Sequence, residues 1–183
     1  MGILHQMRGR GLCYLPLLIL TGCGESEPVP YRTEPVMAVV DPVAAYLLEA
    51  RWPCAGDGCA DVEAVGRLAN SIRRQSARLD IPVSLMVGVL MVENPWLDTL
   101  AVSPAGARGL YQTMPVHRDA WPDCQAKQVS IRGSVCRGAE VMADFLKRHD
   151  LTDALLRYNG CRQRKCAGYP RKVIAEADSF AGG

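Results

Sequence analysis

Glu93 stands at the end of the apolar run "VSLMVGVLMV", just before a loop that leads into "AVSPAGARGLYQTMP". A helix over that run leaves the carboxyl among Met91, Val92 and Trp96. Desolvation by an apolar wall disfavours the carboxylate, and so does the negative end of a helix dipole. Both effects keep the proton on. A carboxylic acid that stays protonated near neutral pH is what general-acid cleavage of a glycosidic bond needs. Taken alone, the same glutamate reads more readily as a surface loop residue with no role. Asp98, five residues on, is a second carboxylate that could hold a water or simply cap a turn. Other chemistries find little support. The chain has no H-E-x-x-H, no P-loop and no G-x-S-x-G. His117 and His149 are isolated and read as surface or packing residues. No cofactor and no metal are expected.

The elements that must position Glu93 read as helices. Residues 36–52 place apolar side chains at helical spacing, with Pro42 in a first turn after Asp41. Residues 60–80 put Val62, Val65, Leu68, Ile72 and Leu79 on one face, with Asp61 as N-cap. Residues 84–93 are apolar on nearly all sides, which predicts a buried helix. "GARGLYQTM" reads as one or two helical turns. Residues 131–150, 151–159 (capped by Thr152) and 169–180 complete the set. Alternating β-branched runs are scarce, so the fold class is mainly α.

From residue 82 to 115 the chain closely resembles the lytic transglycosylases of the soluble type (the SLT domain), whose fold is lysozyme-like, of the goose type. The matching pieces are Glu93; Ala101-Val102-Ser103; Gly106-Ala107-Arg108-Gly109-Leu110-Tyr111-Gln112-Thr113-Met114-Pro115; Ala154-Leu155, then Tyr158-Asn159; and Tyr169-Pro170-Arg171-Lys172-Val173. They keep the family's order over about residues 60–180. The resemblance implies an enzyme that cleaves the MurNAc–GlcNAc bond of peptidoglycan without water. Glu93 would protonate the glycosidic oxygen and then deprotonate the C6 hydroxyl of the same MurNAc, leaving a 1,6-anhydro end. Tyr158 matches the tyrosine that hydrogen-bonds the glutamate. Asn159 and Gln112 match groups near the sugar, and Gly106 and Gly109 would let the backbone approach the glycan. Two departures stand out. Asn94 replaces the family's serine, though an amide can still donate to the sugar. Tyr111 replaces its methionine and could form an apolar sugar platform. The loop after Glu93 is also about one residue longer and contains Pro95. The rival readings are a lysozyme-type hydrolase using Asp98, and a catalytically weak peptidoglycan-binding lipoprotein.

The ends of the chain speak to its compartment. Arg8 and Arg10 precede the short apolar run "LCYLPLLIL", which ends in "LTGC" at Cys23. That ending resembles the lipobox of bacterial lipoproteins, and implies cleavage before Cys23 and lipidation of it. The expected organisation is a signal peptide over 1–22, a lipidated, proline-rich tether over 23–35 and the transglycosylase domain over 36–183. Gly24 after the cysteine favours the outer membrane, facing the periplasm. Residues 24–123 carry 8 basic and 13 acidic side chains, and residues 124–183 carry 11 and 6. A basic C-terminal third can mean nucleic acid. Export makes that a poor reading, and leaves a solvated helical face or an anionic wall polymer. The expected partners are glycan strands and, through the anchor, a membrane. Six further cysteines argue for disulfides in an exported domain. The sequence-local pairing is Cys54–Cys59, Cys124–Cys136 and Cys161–Cys166. The rival is a four-thiolate zinc site built from the two C-x4-C pairs.

Overall fold

The computed structural model describes residues 41–51, 62–117, 120–161 and 166–182. The signal peptide, Cys23, the tether, the Asp61 cap and the Cys54–Cys59 pair lie outside them. Six helices make up this part: α1 (Pro42–Arg51), α2 (Val62–Leu79), α3 (Val83–Glu93), α4 (Ile131–Leu146), α5 (Leu151–Tyr158) and α6 (Gly168–Gly182). Among the described residues there are no strands beyond two isolated bridges, so the class is mainly α, as expected. None of these helices is long and apolar enough to cross a membrane.

The core is built around α3. Every side chain from Leu85 to Met91 is buried, which is why the helix is apolar on all sides instead of along one stripe. Each large side chain there contributes about 1.5–3 kcal/mol through burial. α6 lies directly against α3, and Gly88 permits the contact. A Cβ at that position would come within 2.4 Å of the Val173 carbonyl oxygen. α2 offers the face carrying Val65, Leu68 and Ile72 to the same core. Arg78 on α2 reaches Glu140 on α4 at 2.6 Å, and Arg73 on α2 reaches Asp41 at 2.6 Å. Tyr46 of α1 packs edge-on against Phe180 of α6, with ring centroids 5.3 Å apart.

The helix boundaries follow local hydrogen bonding. Asp41 caps α1: its Oδ1 accepts from the Val43 amide at 2.9 Å. Ser130 caps α4 by accepting from Gly133. α5 is capped by Asp150, whose Oδ1 accepts from the Asp153 amide at 2.8 Å, and not by Thr152, which lies inside the first turn. That corrects the sequence reading. A carboxylate one residue before the helix outcompetes a hydroxyl already within it.

The second correction concerns "GARGLYQTM". It forms no helix. Arg108 bridges antiparallel to both Val102 and Thr113, and Gly109 has φ +75° and Gln112 φ +43°. Two left-handed residues within four positions break any helical run. Two of the expected disulfides are present, Cys124–Cys136 and Cys161–Cys166, with Cα atoms 5.6 and 6.2 Å apart. The second pairing removes two of the four thiolates that the zinc alternative required.

Candidate active site

Glu93 is the last residue of α3 and is half-buried. The Tyr169 hydroxyl, at the start of α6, donates to Glu93 Oε1 at 2.5 Å. Burial raises the Glu93 pKa above the usual carboxylate value, and the Tyr169 hydrogen bond offsets part of that rise by stabilising the anion. The Tyr169 phenol is itself pushed up, first by burial and then by the nearby carboxylate. The pair is thus a protonatable acid with a neutral donor held against it.

The sequence reading had put Tyr158 in that role. Tyr158 instead donates its hydroxyl to the Tyr111 carbonyl at 2.8 Å, so it holds the loop beneath the site. Its pKa is raised by burial first and by Glu93 second, so the two groups share one neighbourhood. Tyr169 was visible in the chain as part of Tyr169-Pro170-Arg171-Lys172-Val173. Nothing local, however, says that it meets Glu93. That contact depends on α6 closing over Gly88.

Asn94 is buried and fully engaged. Its Nδ2 donates to the Asp98 carbonyl at 2.6 Å and to the Gly109 carbonyl at 3.3 Å, and its Oδ1 accepts from the Asp98 amide at 3.1 Å. The amide therefore closes the loop after α3 and is not left to meet a sugar. Asp98 is also occupied: its Oδ1 accepts from the Leu100 amide at 2.8 Å, as a turn-capping residue does. Leu97 turns inward against the core with φ +54°, and Trp96 is left 80% exposed.

Tyr111 is a core residue and not a sugar platform. It is fully buried, its hydroxyl donates to the Met86 carbonyl at 3.0 Å, and its amide donates to Ser134 Oγ at 3.0 Å. Its ring lies over Gly138, where a Cβ would come within 2.4 Å of it. Gly109 is buried too, and its missing side chain makes room for Ser134 and the Gln128 carbonyl. Gln112 is half-buried, and its Nε2 donates to the Gly109 carbonyl at 2.8 Å, bracing the loop. Asn159 is exposed at the C-terminus of α5. The structure therefore brings Glu93 together with Tyr169 and Tyr158, and turns Asn94, Gly109 and Tyr111 into supports.

No family model matches the chain, and neither a curated protein nor a solved structure matches it.

Proposed function

We propose that the protein is a peptidoglycan lytic transglycosylase with a lysozyme-like fold of the goose type. The observation that carries the reading is Glu93 itself: a half-buried carboxyl at a helix end, with its pKa raised and a neutral phenol donating to it. Such a group can work in both directions. Protonated, it gives its proton to the glycosidic oxygen between MurNAc and GlcNAc as that bond breaks. The carboxylate that results is stabilised by the Tyr169 hydroxyl until it takes the proton of the MurNAc C6 hydroxyl. That oxygen attacks C1 and closes the 1,6-anhydro ring. Intramolecular attack benefits from a high effective concentration and needs no second carboxylate.

The hydrolase alternative needs Asp98 to aim a water at C1. The hydrogen bond from Leu100 to Asp98 Oδ1 argues against that use. The non-catalytic binding alternative drew on Asn94 and Tyr111. Both departures are accommodated in the support of the site, which favours turnover. The segment Leu20-Thr21-Gly22-Cys23 supports export and a lipid anchor, with the outer membrane as destination.

The test is digestion of purified sacculi followed by mass spectrometry of the muropeptides. 1,6-AnhydroMurNAc ends are expected from the wild type, and Glu93→Gln should lower their yield by at least about 10²-fold. Reducing MurNAc ends from the wild type, with an inactive Asp98→Asn, would make the protein a lysozyme.

A further inference from the structure

Tyr169 has a second face. Beyond its contact with Glu93, it forms the wall of a cavity of about 310 Å³ whose other lining residues are Val92, Asn159, Cys166, Gly168 and Lys172. The cavity thus begins where the partner of Glu93 ends. Its chemistry is uneven. Val92 and the Tyr169 ring are apolar, while Asn159 and Lys172, whose side chains end in an amide and an ammonium, line the same space. Lys172 lies three residues after Tyr169 on α6, on the same side of the helix. It is exposed, and among the described residues neither it nor the Asn159 side chain has a polar partner. An ammonium and an amide on residues that line one cavity can serve a carboxylate together, since ammonium and amide N–H groups all donate.

Resting on the peptidoglycan reading, we infer that this cavity receives the 3-O-lactyl arm of the MurNAc residue being cleaved, and that Lys172, with Asn159, reads the carboxylate the arm carries. The lactyl arm is what distinguishes MurNAc from GlcNAc, and it brings negative charge near the scissile bond. That charge is the lactyl carboxylate itself on bare strands, or a carboxylate of the attached stem peptide on intact ones. The volume is near the lower end of small-ligand sites, which suits an arm and not a second sugar chain. Lys172 is then a specificity residue. It would select which face and register of the alternating glycan presents its bond to Glu93.

The experiment uses the full chain carrying Glu93→Gln, titrated calorimetrically with three ligands: stem-bearing glycan oligomers, the same oligomers after amidase treatment, and chitotetraose, which has no carboxylate. Carboxylate-bearing oligomers are expected to bind about fivefold more tightly than chitotetraose. Adding Lys172→Ala should abolish that difference and leave chitotetraose affinity unchanged, while Lys172→Arg should retain it. Tighter binding of the stem-bearing oligomers alone assigns the charge to the peptide; equal binding of both assigns it to the arm. Equal affinity of the parent for all three ligands, or an equal loss on all three with Lys172→Ala, overturns the inference while leaving the glycan reading intact. Binding of none of the three, together with no cleavage of sacculi by the wild type, overturns both.

Discussion

Glu93 is half-buried and meets the Tyr169 hydroxyl, and the two act on its proton in opposite directions. Burial favours the acid; the Tyr169 hydroxyl favours the carboxylate. Tyr169→Phe removes only the second influence, so the Glu93 pKa should rise further. Activity that needs a protonated Glu93 fails as pH climbs through that value. The alkaline limb of the pH profile of kcat/KM should therefore move to higher pH in Tyr169→Phe, while the rate itself falls by about tenfold for loss of a hydrogen bond to a charged group. An unmoved limb would show that the phenol does not act on Glu93. The same shift bears on stability. A carboxyl that holds its proton more tightly when folded contributes most below its ordinary unfolded value, and that contribution is lost as pH rises through the folded one. At the residue scale the sequence was legible where chemistry follows from local surroundings. An apolar run ending in a carboxyl could be read directly, whereas Asn94 could not. Its spacing to Asp98 and Gly109 becomes a set of hydrogen bonds only once the loop folds back over it.

Helices were legible as elements because burial leaves a periodic imprint, and α3 was clearest because it is buried all round. What escaped was decided between elements. The sequence pointed to Thr152 as the cap of α5, whereas Asp150 caps it, because the choice depended on where the chain turns after α4. Asp150→Ala should lower stability by about 1 kcal/mol, with Thr152→Ala near neutral in the same thermal or denaturant unfolding measurement. The contact of α6 on α3 was hidden for the same reason. Gly88 gave no sign in the sequence that it faces Val173 and Ala177. Gly88→Val should push the two helices apart and cost about 1–3 kcal/mol of stability. It should also reduce activity at temperatures where the variant is still folded, because Tyr169 moves with α6. Full activity in a folded Gly88→Val would separate the helix contact from the site.

Taken whole, the molecule holds three phenols in or against its core, Tyr111 buried and Tyr158 and Tyr169 partly so. Tyr111, Tyr158 and Tyr169 all have pKa values raised by burial, and the chain has six tyrosines. Alkaline titration followed by absorbance should leave the signal of these three absent until the chain unfolds. The sign is definite. A phenol whose folded pKa lies above its unfolded value, about 10, gives stability that fades as pH rises beyond that point. Disulfides act at the same scale. Replacing Cys124 and Cys136 by serine releases a segment held over 12 residues while leaving Cys161–Cys166 closed, and should lower stability by about 3 kcal/mol in denaturant titration. The Tyr111 ring resting on Gly138 carries one more consequence, and it concerns inheritance. Neither position is free to change without the other: a larger residue at 138 has nowhere to go while the ring is there, and a thinner side chain at 111 leaves a void while 138 stays bare. Descendants of this chain should therefore exchange the two together. A lineage carrying methionine at 111 should tolerate alanine at 138, and Tyr111→Met with Gly138→Ala should be more stable than the sum of the separate losses allows.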